Sequence, residues 1–166
     1  MILGLSTATF TLVHVSISLI AIGSGFVVMF GLLMGKRLNR WTAAFLAATA
    51  LTTITGFAFP FHHLKPAQIL GIITLVMLLF AISARYLFLF AGSWRWIYVV
   101  ASALALYLNF FALTMQSFAK IPALKALAPI RREPPFVVTQ VAALVFFVTL
   151  TVFTTRRFHP ESVPAA

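Results

Sequence analysis

Long apolar runs alternate along this chain with short segments that carry most of its charged residues. A helix needs about 20 residues to cross the ~30 Å hydrocarbon layer of a bilayer, and each run reaches that length. The runs therefore predict five transmembrane helices, at about residues 8–34, 42–61, 67–90, 96–118 and 136–155. Together they fill the chain, so we expect a single integral membrane domain over residues 1–166, folded as an all-α polytopic helical bundle.

The segments between the runs contain residues that end helices. Segment 35–41 holds three cations and a tryptophan, and segment 59–66 holds two prolines around a pair of histidines. Proline removes a backbone donor and breaks a helix. Segment 117–135 differs from these, because four apolar residues recur in it at three-residue spacing. That spacing predicts a short interfacial helix after Pro122, before the last span.

Composition favours a membrane protein and excludes several other classes. Apolar residues make up 62% of the chain and charged residues 8%, against roughly 45–50% and about 25% in soluble domains. The formal net charge of +10 comes from 12 Lys and Arg against two acidic residues. Because these cations flank the apolar runs, we expect anionic lipid headgroups as partners and no nucleic acid. The absence of cysteine excludes disulfides, iron–sulfur clusters and thiolate metal sites.

The distribution of the cations predicts how the chain is inserted. Lysine and arginine accumulate on the cytoplasmic side of membrane proteins. An N-terminus on the side of the membrane away from the cytoplasm puts seven cations on the cytoplasmic side and leaves five on the other. The inner set is Lys36, Arg37, Arg40, Arg85, Arg95, Arg156 and Arg157. We therefore expect a multi-pass protein of a bacterial inner membrane, with its N-terminus outside and its C-terminus in the cytoplasm.

Small residues predict where the helices approach one another closely. Gly23 and Gly25 lie in the middle of the first run, and Gly31 and Gly35 form a GxxxG motif at its end. Glycine lets two backbones meet or a helix bend. We interpret both pairs as packing features inside the bundle, with dimerisation as the alternative for the GxxxG motif.

Histidines and amides form the first candidate site. Ionisable side chains inside a bilayer are costly, so each one marks a candidate functional position. In the predicted topology, three histidines and three amides share the outer half of the bilayer. They are His14, His62, His63, Asn109, Gln116 and Gln140. We expect them to form a polar pocket in the outer leaflet, because lipid cannot satisfy their hydrogen bonds.

Several ligands fit such a pocket. Imidazoles on neighbouring helices are suitable axial ligands, so one interpretation is haem b held between His14 and His62 or His63. A quinone bound by histidine and amide hydrogen bonds is a second. A copper or zinc ion ligated by His14, His62 and His63 is a third. The alternative is that these polar side chains only join helices, at roughly 0.6–2 kcal/mol for each bond.

Arg85 is the second candidate site. It lies inside the third apolar run, and no acidic residue in any predicted span neutralises it. Its charge must then extend to the headgroups, bond to backbone carbonyls or hold an anionic ligand. The functional interpretation is a lipid phosphate bound by Arg85 and Arg95 between the third and fourth helices.

The sequence contains no motif that identifies an activity. It has no nucleotide-binding loop, serine-nucleophile elbow or zinc-protease motif, and no predicted span holds the carboxylate that a proton pump needs. Whether the chain is an enzyme therefore stays open, with a membrane redox role as the form that bound haem or quinone implies. We interpret it first as a membrane binding or accessory protein with a polar pocket in the outer leaflet.

Two other functions also stay open. One is an accessory or assembly subunit that packs on a larger membrane complex or on a second copy of the chain. The other is a facilitator of small solutes. A facilitator needs a continuous polar path, and the inner half of the predicted bundle offers mainly Ser83, Arg85 and the stretch 149–155.

Overall fold

The computed structural model describes Ile2, residues 4–59 and residues 66–159. Helices make up most of this part, and the described residues form no β-sheet, so the all-α prediction is confirmed for them. The elements are α1 (Thr7–Leu33), α2 (Asn39–Phe57), α3 (Pro66–Ile82), a π-helical turn (Ser83–Leu87), α4 (Trp94–Lys120), α5 (Pro122–Leu127) and α6 (Pro134–Arg157).

Four of the helical segments in the described part are long and apolar enough to cross a membrane. Three of them are α1, α4 and α6. The fourth is the continuous segment Ala67–Leu87, which joins α3 and the π turn. Each coincides with one of the predicted spans. The chain is thus a polytopic helical membrane protein by the length and composition of its helices.

Helix α2 lies where the second span is predicted, but it is less apolar than the others. Its 19 residues include five threonines, and it begins with Asn39 and Arg40. Four of the threonines are buried, namely Thr42, Thr49, Thr52 and Thr53. The hydroxyls that lower its apolar character therefore face other helices. A fifth crossing of the bilayer by α2 stays a prediction.

The long helices pack side by side, and consecutive long helices run antiparallel. Helix α1 contacts α2, α4 and α6, while α3 packs between α2 and α4, and α4 also contacts α6. The start of α1 consequently lies beside the ends of α2 and α4, and we call this the His14 end of the bundle. The opposite end, which holds the π turn and the starts of α2 and α4, is the Arg85 end.

The GxxxG motif belongs to the end of α1. Gly35 adopts a φ of +73°, which glycine reaches without strain. The Lys36 N–H then bonds to the Gly31 carbonyl at 2.8 Å, the pattern that closes a helix C-terminus. A Cβ on Gly31 would lie 2.6 Å from a Leu38 side-chain atom. Both glycines thus shape the turn between α1 and α2.

The short helix expected after Pro122 is present as α5, which has six residues. Pro122 provides its first residue, where the missing N–H costs no hydrogen bond. Ala128, at its end, packs with Phe118 and Phe136 from α4 and α6. This contact holds the connection against the bundle, and its location at a membrane interface stays a prediction.

Close packing in the middle of the bundle depends on Gly25. A Cβ added there would lie 2.6 Å from Leu106 Cδ1 and 2.9 Å from ring atoms of Phe45, both fully buried. A Cβ on Gly23 would meet nothing within 4 Å. The close approach predicted for this glycine pair therefore occurs at Gly25, where α1 meets α2 and α4.

We expect Gly25→Ala to lower the free energy of unfolding by about 1–3 kcal/mol, because overpacking displaces Leu106 and Phe45. Gly23→Ala is the matched control, and it should be neutral or stabilising by up to about 1 kcal/mol through helix propensity. Unfolding of both variants in detergent micelles measures the difference. Equal stabilities would contradict the close approach.

Glu133, at the start of α6, predicts that the stability of the fold depends on pH. Desolvation acts to raise the pKa of Glu133, but backbone N–H groups, including those of Arg132 and Ile130, bond to its carboxylate and hold the pKa below its ordinary value of 4.5. A lowered pKa in the folded state stabilises the fold at neutral pH, and this contribution disappears as the pH falls below about 4.5. Unfolding temperatures measured from pH 6 to pH 3 should fall less in Glu133→Gln than in the native chain. An unchanged profile would contradict this role, and Glu161→Gln serves as the control for the other acidic side chain.

Candidate functional site

Arg85 lies in the π turn that follows α3. The turn is widened by one residue, and the Phe88 N–H bonds to the Ser83 carbonyl at 3.0 Å. Such π-helical insertions occur frequently at functional sites. Here the turn directs Arg85 into the bundle, where the side chain is only 7% exposed.

The Arg85 guanidinium is held by one amide and three aromatic rings. Its Nη2 donates to Asn39 Oδ1 at 2.6 Å. Its central carbon lies 5.5 Å from the ring centre of Tyr86, 5.7 Å from that of Phe90 and 5.9 Å from that of Tyr98. These cation–π distances favour a positive charge at this position.

One terminal nitrogen of the guanidinium lacks a partner in the described part of the chain. The Nη1 atom is buried and makes no hydrogen bond within the described part of the chain. The acidic residue described there, Glu133, lies at the start of α6, at the His14 end of the bundle. A buried charge normally has a carboxylate or several hydrogen-bond acceptors around it. The burial of Arg85 without them therefore costs an unusual amount of folding free energy.

A pocket of about 350 Å³ opens beside the guanidinium. Its lining residues are Arg37, Asn39, Arg85, Tyr86, Leu89 and Phe90. The pocket thus places two guanidinium-bearing residues and an amide in one concave wall. That set of groups is suited to an anion, because arginine binds phosphate and carboxylate oxygens through paired N–H donors.

The backbone next to the pocket is strained. Leu89 and Phe90 have φ values of +47° and +65°, in the left-handed region that side chains other than glycine rarely adopt. Each such residue costs on the order of 1–3 kcal/mol, and these conformations cluster at binding and active sites. The Phe90 ring is also 5.0 Å from the Arg37 guanidinium, so the strained turn forms part of the pocket wall.

Two further polar residues lie behind Arg85 in the bundle interior. Tyr98 and Ser102 of α4 are fully buried. The Tyr98 hydroxyl lies close to Thr42, Ser102 and Arg85 without meeting the geometry of a hydrogen bond to any of them. Since the large majority of buried polar atoms are hydrogen-bonded, this concentration of unpaired donors is exceptional.

Arg95 does not share the Arg85 pocket. Its Nη1 donates to the carbonyl of Phe158 at 2.6 Å, just after the last residue of α6. A cation at this position stabilises the unpaired carbonyls of a helix C-terminus. The second cation of the pocket is Arg37, which follows α1. The position of Arg37 beside an apolar run predicts only a headgroup contact, although the predicted topology places it on the same side as Arg85.

His14 is bound to α2 at the other end of the bundle. Its Nδ1 lies 2.8 Å from the Thr55 hydroxyl, and its ring packs edge-on against Phe59 at 5.3 Å. One turn further along α1, the Ser18 and Thr52 hydroxyls are hydrogen-bonded to each other. These contacts join α1 and α2.

The predicted amides lie at different helix contacts. Asn109 donates to the Thr49 hydroxyl at 3.4 Å, between α4 and α2, and Gln140 donates to the Thr114 hydroxyl at 2.6 Å, between α6 and α4. Gln116 is exposed on α4. The four described residues of the predicted outer-leaflet pocket are therefore distributed over separate places and do not converge on one pocket. Their arrangement matches the alternative in which polar side chains join helices.

His62 and His63 lie outside the described residues, so the ligand sets proposed for haem or a metal fall partly outside the structure. Within residues 4–59 and 66–159, no group of three or more histidine, cysteine or acidic side chains is placed to hold a metal ion. Comparison with protein-family models, curated proteins and solved structures found no match. The function of this chain is therefore inferred from its own residues.

Proposed function

We propose that this protein is an integral membrane protein that binds an anion through Arg85. The observation that carries the proposal is a nine-tenths buried arginine that has, among the described residues, one unpaired nitrogen and no carboxylate beside it. A charge in such surroundings is stabilised most by a counterion. A bound anion would supply the partner that the described residues do not.

The chemistry of the pocket favours an oxyanion such as a phosphate group. Arg37 and Arg85 both line the pocket with charged N–H groups, and the Asn39 side-chain oxygen fixes one edge of the Arg85 guanidinium. Charge-assisted hydrogen bonds of this kind are roughly twice as strong as neutral ones. In the proposed topology the pocket lies on the cytoplasmic side of an inner membrane, where anionic lipid headgroups and free phosphate are both present.

A second candidate function is the binding of haem or a quinone at His14. The Thr55 hydroxyl lies 2.7 Å from the Leu51 carbonyl, which takes its single proton. Nδ1 of His14 must then donate to Thr55, and Nε2 keeps its lone pair for an axial ligand or a hydrogen bond. This tautomer favours a ligand at His14. For a haem, His62 or His63 would be the second axial ligand.

We expect Arg85→Gln to weaken anion binding by about 10- to 100-fold, because a hydrogen bond to a charged group contributes about 1.5–3 kcal/mol. The full-length protein in neutral detergent is titrated with inorganic phosphate, and separately with phosphatidylglycerol followed by native mass spectrometry. Binding of phosphate alone indicates a soluble anion, and binding of the lipid alone indicates a headgroup.

Arg95→Gln is the matched control for that experiment. It removes an arginine from the same end of the bundle, but one that is bonded to the Phe158 carbonyl. It should leave the affinity unchanged even if α6 becomes less stable. The proposal fails if neither probe binds, or if the two arginine variants lose affinity equally.

Absorption spectroscopy tests the His14 candidate. The detergent-purified protein, with haem added, should show a Soret band that His14→Ala abolishes, because the axial ligand is removed. Ser18→Ala is a suitable control, since it also removes an α1–α2 hydrogen bond but no imidazole. Absence of the band in the native chain would exclude haem at this position.

A further inference from the structure

A groove of about 300 Å³ lies between α1 and α6 at the Arg85 end of the bundle. Leu33, the last residue of α1, lines one side of it, and one face of α6 lines the other. The residues on α6 are Phe146, Thr149, Leu150, Phe153 and Arg157. Their spacing of three and four residues puts them on one face of the helix. The groove shares no lining residue with the Arg85 pocket, so it is a separate candidate site.

Aromatic rings close the deep end of the groove. Helices α1 and α6 run in the same direction, and the Phe26 ring of α1 lies 6.2 Å from the Phe146 ring and 5.7 Å from the Phe147 ring. Beyond this contact α1 ends at Leu33, while α6 continues to Arg157. The two helices therefore touch near the middle of the bundle and leave the groove between them toward their ends.

The length of the groove matches one leaflet of a bilayer. Helix α6 advances about 16 Å from Phe146 to Arg157, and half of the ~30 Å hydrocarbon layer is about 15 Å. Apart from Thr149 and Arg157, the lining residues are apolar. Ligand pockets have volumes of about 300–1,000 Å³, and this groove lies at the lower end of that range. Its shape and lining suit an extended acyl chain, which is narrow, apolar and as long as a leaflet.

Arg157 provides a positive charge at the headgroup end of the groove. It lies in the last turn of α6, and its guanidinium makes no hydrogen bond, ion pair or ring contact within the described part of the chain. Arginine binds a phosphate group through paired N–H donors, and its long side chain extends to the headgroups. The groove thus combines an apolar wall for a chain with a cation for the phosphate at its end.

We propose that this groove binds one anionic phospholipid, with an acyl chain along α6 and the phosphate at Arg157. A zwitterionic headgroup would bring its own cation to this end of the bundle, where the described residues offer no carboxylate to receive it. An anionic headgroup brings no such cation. In the predicted topology this end faces the cytoplasmic leaflet, in which anionic lipids attract basic residues. The inference does not depend on the anion proposed for Arg85.

Competition between two lipids tests the proposal. The full chain in neutral detergent is offered equal amounts of phosphatidylglycerol and phosphatidylcholine, and native mass spectrometry counts the lipids bound. The native chain should prefer phosphatidylglycerol. Arg157→Gln should lower this preference about fivefold, the ratio that corresponds to one cation near an anionic surface. Repeating the comparison in the Arg85→Gln background removes the contribution of a lipid in the other pocket.

Arg156→Gln is the matched control for charge. It removes the same charge from the neighbouring residue, which lies about 100° away around the helix and does not line the groove. The preference for phosphatidylglycerol should be nearly the same as in the native chain.

Thr149→Phe tests the apolar part of the site. It fills the groove without changing the charge, so it should remove the bound phospholipid although Arg157 is intact. Val148→Phe is its control, because Val148 is 54% exposed and lies outside the groove on nearly the opposite face of α6. This variant should bind the lipid as the native chain does.

Three results would overturn the inference. They are equal binding of the two lipids by the native chain, equal loss of preference in Arg156→Gln and Arg157→Gln, and equal lipid binding by Thr149→Phe and Val148→Phe. Loss of the preference in Arg85→Gln but not in Arg157→Gln would assign the lipid to the Arg85 pocket, which removes this inference and supports the proposed function. Loss in Arg157→Gln while the Arg85 pocket binds no anion would support this inference and remove the proposed function alone.

Discussion

Pairing polar groups away from lipid is the constraint on which this bundle depends. In hydrocarbon, each unsatisfied polar group costs several kcal/mol. Helix α2 carries five threonines in 19 residues, and the bundle buries four of them. Ser18 of α1 and Asn109 of α4 bond to two of these hydroxyls. The threonine face of α2 therefore requires α1 and α4 to lie against it, and the aromatic packing of the remaining helices follows from that arrangement.

Most of the fold follows from the length of the apolar runs, because a bilayer imposes one span length on every helix. The long helices lie where the runs predict them, and the differences at their ends have local causes. Helix α2 begins at Asn39, before the predicted residue 42, and its first turn includes Arg40, since arginine is a good helix former. Helix α4 continues to Lys120 and ends there because Ile121, which precedes a proline, leaves the helical region.

The candidate site was less predictable. Arg85 stands out in the sequence because a charge inside a span is costly. Arg37, the second cation of the pocket, does not stand out in the sequence. The prediction that Arg95 shares a site with Arg85 assumed that the third span is a regular α-helix up to residue 90. The π turn changes the direction of the Arg85 side chain, and no hydrophobic period reveals such an insertion. The sequence also does not mark Tyr98 and Ser102 as site residues, because both residue types occur in ordinary helix cores.

The unfavourable terms in this structure concentrate at the Arg85 end. Within a few residues the chain has a π turn, the unpaired Arg85 nitrogen and left-handed conformations at Leu89 and Phe90. At the other end Arg131 has a left-handed φ of +59° and Gln140 Oε1 has no hydrogen-bond partner in the described part, but His14 and Ser18 are both hydrogen-bonded. Proteins retain local costs of this kind where function requires them, and other contacts compensate for them. The distribution of strain thus favours the arginine pocket over the histidine cluster as the position where a ligand binds.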